Sequence, residues 1–106
     1  MGKWNIQIDT SFVGDGGLNH EVIYSEEPGD YFNFNSDGYV STREDSILDT
    51  LTYTLSSDSI LIKNFSSGYE GKCLFKSPST NNIVISSGYY NFYGGGIFGR
   101  TIYLSR

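Results

Sequence analysis

Apolar residues in this chain recur at every second position in short runs, and that spacing limits the possible folds more than any other feature. A period of two sends successive side chains to opposite faces of an extended strand. Trp4, Ile6 and Ile8 alternate with Asn5, Gln7 and Asp9, and Phe32 and Phe34 alternate with Tyr31, Asn33 and Asn35. Leu51, Tyr53 and Leu55 alternate with Thr50, Thr52 and Thr54, the cleanest case. Ile60-Leu61-Ile62, Cys73 with Phe75, Asn82 to Ser86 and Thr101 to Ser105 supply further strands, and Val22 to Tyr24 a short one. The three-and-four spacing of an amphipathic helix never lasts beyond one turn; Ser46-Ile47-Leu48 fits such a turn. Alanine is absent, while Ser, Thr, Asn and Gly abound, so intrinsic propensity also opposes helix.

Turn chemistry separates the runs. Asn35-Ser36-Asp37-Gly38 reads as a type I turn with Gly38 left-handed, giving a bulged hairpin. That register puts Val40 and Thr42 on the face of Phe34 and Phe32, whereas a slip of one residue would select Tyr39. Ser56 to Ser59 and Pro78 to Asn81 are the next turns, and Gly14 to Gly17 and Gly88 to Gly99 are longer glycine-rich connections. Short strands about ten residues apart make an antiparallel meander, and closing it removes its exposed edges. The expected fold is all-β: one domain over 1–106, an antiparallel up-and-down barrel of about eight short strands. At that strand number the interior is just filled by side chains or holds one small ligand.

Composition narrows the function classes. Twelve acidic against seven basic residues give a net charge of −5, which opposes nucleic-acid binding because phosphate contacts need Lys and Arg. An aromatic share of 16% is too high for a disordered chain. No apolar run approaches the roughly 20 residues of a membrane-spanning helix. Cys73 is the single cysteine, so no internal disulfide can form; between Lys72 and Leu74-Phe75 it reads as a buried apolar thiol. No signal segment precedes the first strand, which leaves two compartments open. The chain is cytoplasmic, or it is exported to the cell envelope after removal of a signal ahead of Met1-Gly2.

Gly2-Lys3-Trp4 resembles the G-x-W signature on the first strand of lipocalins. The layout Phe32-Asn33-Phe34-Asn35-Ser36-Asp37-Gly38, then the alternating strand Asp49 to Leu55, resembles small lipocalin-like, calycin-type domains of bacterial envelope proteins. The resemblance implies that Trp4 closes one barrel end with a basic residue of the last strand, Arg106 or Arg100, packed over its ring. It also implies non-enzymatic binding of a small hydrophobic ligand inside the barrel. Alternation then supplies the lining: Trp4, Ile6, Phe32, Phe34, Tyr53, Leu55, Ile62 and Phe75, with Ile8, Leu51, Ile60 and Cys73 also inward.

Catalytic and metal constellations are weak. His20 beside Asp15 and Glu21 matches no ligand spacing, and no metal or cofactor is expected. No G-x-S-x-G elbow occurs. Glu26, Glu27 and Asp30, like Glu44 and Asp45, read as solvated acidic turns rather than a glycosidase pair. Gly94-Gly95-Gly96 with Gly99-Arg100 lacks the Lys-Ser/Thr of a phosphate loop. The unusual segment is Tyr89-Tyr90-Asn91-Phe92-Tyr93 within the glycine-rich stretch 88–99. It supports an alternative to ligand carriage: a structural or interaction module with a filled barrel, engaging a protein or glycan through Tyr89, Tyr90, Phe92 and Tyr93.

Overall fold

The computed structural model describes residues 2–15, 18–24, 29–65, 71–88, 90–91 and 97–106. It is all-β. The strands are β1 (Gly2–Asp15), β2 (Leu18–Tyr24), β3 (Tyr31–Phe34), β4 (Tyr39–Glu44), β5 (Ile47–Leu55), β6 (Ser59–Ile62), β7 (Lys72–Ser79), β8 (Asn82–Ser86), β9 (Tyr90–Asn91) and β10 (Ile97–Ser105). Eight of them, β1, β3 to β8 and β10, follow one another around a closed antiparallel barrel whose seam is the β1–β10 pairing. No helix among the described residues is long and apolar enough to cross a membrane.

The seam is longer than the barrel. β1 and β10 stay paired from Asn5↔Ser105 to Gly14↔Ile97. β3 pairs with β1 only over Gly2 to Asn5, and β8 with β10 only over Thr101 to Ser105. Beyond those points β2 and β9 take over the outer edges. A four-stranded ribbon therefore projects past one barrel end, in keeping with extents of 40 × 28 × 26 Å.

The hairpin β3–β4 forms as its turn chemistry dictates. Gly38 has φ 88°, Asn35 N–H donates to Tyr39 O at 2.9 Å, and Tyr39 N–H donates to Asp37 Oδ1 at 3.1 Å. The register is Phe34↔Val40 and Phe32↔Thr42, with Tyr39 on the outer face. The next connection departs from expectation. Ser46-Ile47-Leu48 is not a helical turn: Asp45 and Ser46, at φ 51° and 69°, form a two-residue hairpin loop, and β5 starts at Ile47. Two left-handed residues match the strand twist of a tight hairpin, a geometry usually given to Asn-Gly and hard to read from Asp-Ser.

A second departure lies in β1. The pairing skips Gln7, passing from Ile6↔Leu104 to Ile8↔Tyr103. A bulge of one residue reverses the facing of everything after it. Ile8, expected inside, is 44% exposed on the outer face, and Asp9 takes the inward position. The core cluster comprises Trp4, Ile6, Phe32, Phe34, Val40, Ile60, Ile62, Phe65, Cys73, Ile83, Ile85, Ile102 and Leu104, with Leu51, Tyr53 and Phe75 packed against it.

Candidate functional site

Of the eight residues expected to line a ligand cavity, Phe32 and Ile62 have no accessible surface, Trp4, Ile6 and Phe34 are nearly as buried, and Tyr53 and Phe75 are half-buried. Trp4, Ile6, Phe32, Phe34 and Ile62 are buried in mutual contact, and Tyr53 and Phe75 pack on that cluster. A void wide enough for water would give accessible area to its walls, and Phe32, Val40, Ile60, Ile62, Ile85 and Ile102 have none. Tyr53 stands edge-on to Phe34 at 5.1 Å and donates its hydroxyl to Asn35 O at 2.6 Å, so its polar tip has a partner in the protein. Leu55 is a correction. It pairs with Ile60, yet it is the last residue before the Ser56–Ser59 turn, at the hairpin end, and is 45% exposed. Bulky alternating residues on short strands fill the barrel they enclose.

Trp4 is buried at the barrel end where β1 begins. The Arg106 guanidinium lies 4.3 Å from the Trp4 ring centroid. Of the two basic candidates it is Arg106, held in place by its backbone N–H donating to Asn81 O at 3.0 Å.

Arg100 belongs to the other end. It alternates inward with Ile102 and Leu104, and the Gln7 bulge turns Asp9 to meet it. Arg100 Nε donates to Asp9 Oδ1 at 2.9 Å and Nη2 to Asp9 Oδ2 at 2.7 Å, a bidentate pair. Nη2 also bonds Glu44 Oε1, and Nη1 donates to Phe65 O at 2.7 Å. The guanidinium sits 4.9 Å from the Phe65 ring centroid and 5.8 Å from that of Phe32. Side-chain exposure is 11% for Arg100, 14% for Asp9 and 36% for Glu44, so a largely dry ion-paired group stands at this end of the barrel. Burial works to lower the Arg100 pKa, but the bonds and charges of Asp9 and Glu44 outweigh it and move it upward. Asp30 braces the same region: it pairs with Arg43 at 3.6 Å, its carboxylate accepts from Asp45 N–H, and its carbonyl accepts from Ile6 N–H just before the bulge.

Alternation alone puts Asp9 on a solvent face and leaves Glu44 in a wet turn. Only the reversal at Gln7 unites them with Arg100, and no residue type there announces a bulge. Among the described residues no group of three or more His, Cys, Asp or Glu is placed to hold a metal. The side chains of His20, Asp15 and Glu21 lie outside the described residues, as do Glu26, Glu27, Tyr89, Phe92, Tyr93 and Gly94 to Gly96. Of the aromatic segment, Tyr90 is described, tilted against Phe98 at 6.3 Å.

Cys73 is buried, and burial pushes its thiol up to about 11, against the opposing pull of the Arg100 charge. A pKa raised in the folded state contributes stability in full below the unfolded value near 9 and loses it as pH rises through 11. Two pH units correspond to about 3 kcal/mol. Urea melts of the native chain and Cys73→Ala should therefore diverge between pH 9 and 11, the native chain losing more. A thiol reagent at pH 8 should label Cys73 only on unfolding. Parallel pH profiles or rapid labelling would place the thiol in solvent.

A depression of about 240 Å³ opens on the outer wall, along the seam. Thr10, Phe12, Ser86, Gly88, Gly99, Arg100, Thr101 and Tyr103 line it. No protein-family model matches this chain, and no curated protein or solved structure is detectably similar to it.

Proposed function

We propose that the chain is a non-enzymatic binding module, a filled lipocalin-like barrel that meets its partner with its outer surface. The observation that carries this reading is the absence of accessible area on the central side chains, Phe32, Ile60, Ile62 and Ile85 among them. A carrier needs open volume, and the ion-paired Arg100 group stands at the barrel end opposite Trp4 and Arg106. Envelope location belongs to the same proposal and rests on the resemblance alone.

Carriage of a small hydrophobic ligand is the second reading, favoured by the Trp4–Arg106 stack that the resemblance implies. Under it the ligand would have to displace Phe65 and open the Arg100 network. The two readings part in one experiment. The delipidated chain is titrated with palmitate and with 8-anilinonaphthalene-1-sulfonate while Trp4 emission and the melting temperature are followed. A ligand at a hundred times its Kd stabilises by about 2.7 kcal/mol, a shift of roughly 10 °C or more for a domain of this size. The filled barrel is expected to show neither that shift nor a saturable emission change. A saturable change with either probe, or a lipid retained in native mass spectra before delipidation, would establish carriage instead.

A further inference from the structure

We propose that the chain associates with copies of itself through two unlike patches, the tip of the β4–β5 hairpin of one copy docking on the outer β6–β8 wall of the next. This rests on the surface-binding reading above and gives that surface its partner. Among the described residues the most exposed large apolar side chains are Leu48 at 71%, Ile47 at 69% and Leu74 at 59%; every other one is less than half exposed. Single exposed aliphatics are ordinary, but these three fall into two patches, each bordered by charge of one sign.

The tip is acidic. Ile47 and Leu48 follow the Asp45-Ser46 loop, and Asp45 and Asp49 flank them, exposed like every residue from 45 to 50. As successive strand residues, Ile47 and Leu48 stand on opposite faces, so the tip is apolar on both sides. β6 pairs with β5 only over Tyr53 to Leu55, so the tip runs on past the end of that neighbour. The one cation of the hairpin, Arg43, is ion-paired with Asp30.

The wall is basic. Lys72, Leu74 and Lys76 alternate along the outer face of β7, flanked by half-buried Leu61 and Val84, and exposed Lys63 follows β6. β6, β7 and β8 contain no Asp or Glu, a local reversal of sign in a chain of net charge −5. The chain's other cations stand elsewhere: Arg100 inside the barrel, Arg43 on Asp30, Arg106 over Trp4 and Lys3 over Tyr31.

Complementarity selects a second copy as the occupant. Aliphatics beside carboxylates on one patch match an aliphatic beside ammonium groups on the other, and each chain carries both. Within one chain neither patch covers the other, as the exposure of all three aliphatics shows. A tip-on-wall contact is heterologous and builds a ring or an open chain of copies. Opposite charges bring the patches together and fix their register, while the aliphatics supply the area buried.

The test is sedimentation equilibrium of the native chain from about 10 μM to about 1 mM, which spans weak and transient contacts. Its average mass is expected to rise with concentration, and to rise less in about 1 M salt, where the charges are screened. The tip variant Ile47→Thr/Leu48→Thr and the wall variant Leu74→Glu should each stay monomeric with an unchanged melting temperature, because these side chains are exposed. An equimolar mixture of the two should form pairs and stop there, since one supplies an intact wall and the other an intact tip. Lys63→Glu/Lys76→Glu should weaken the native association at least about tenfold. A native chain that is monomeric throughout, association that survives in both patch variants, or a mixture that stays monomeric each overturns the proposal. A monomeric native chain with a negative palmitate titration removes the second copy and leaves surface binding to a different partner standing; a positive palmitate titration removes the broader reading.

Discussion

Arg100→Met is expected to destabilise the chain by about 3–5 kcal/mol, measured by urea unfolding at pH 7. Methionine keeps much of the side-chain volume, so the loss isolates the charge and its bonds rather than a cavity. What remains is Asp9, only 14% exposed, with a carboxylate whose two bonds to the guanidinium have gone. Phe65 O loses its donor as well. Removing one partner of a buried pair costs far more than the pair's net worth, because the survivor stays desolvated and uncompensated. Glu44 is 36% exposed and can turn to water, so most of the penalty falls on Asp9. The double variant Asp9→Leu/Arg100→Met should therefore recover most of the loss. Arg100→Lys should not restore the wild-type value, since an ammonium cannot reproduce a bidentate fork. A single-variant loss below about 1 kcal/mol would class the network with exposed surface pairs.

That network also marks where the sequence stops being legible. The barrel itself could be read because alternation is local: Phe32 with Phe34 and Leu51 with Tyr53 state their facing without reference to distant residues. The Asp37-Gly38 turn fixed one register for the same reason, since glycine at φ 88° is the residue that such a bulge needs. Asp9, Glu44 and Arg100 are 35 and 56 residues apart along the chain and meet only after closure. Their meeting depends on one skipped residue in β1, a property of how β10 lies against it rather than of Gln7. Leu55 fails for a related reason. Parity predicts which face a side chain takes, but not whether the strand end still has a wall in front of it. Whether the barrel is hollow was likewise outside the reach of periodicity, because inward positions look alike until their volumes meet.

Trp4→Ala should cost about 3–5 kcal/mol, the range for truncating a large aromatic side chain in a packed core. Trp4 is only 4% exposed and pairs across the sheet with Phe32, which is fully buried, so its removal leaves a hole beside a side chain that cannot relax outward. Against a total stability of about 5–15 kcal/mol for a small domain, this is a large share. Two effects contribute, burial of the indole and the guanidinium over its face, and they can be separated. Arg106→Ala removes the stacked cation but keeps the backbone bond to Asn81 O, and it should cost about 1 kcal/mol or less. Trp4→Phe should fall between the two, retaining a ring with a smaller surface and a weaker attraction for the cation. Because Trp4 is the single tryptophan, the melts of its variants are followed by far-ultraviolet circular dichroism. If Arg106→Ala costs as much as Trp4→Ala, the cap is held by the cation rather than by burial. If both are near neutral, this end of the barrel is open and its interior is not sealed at Trp4.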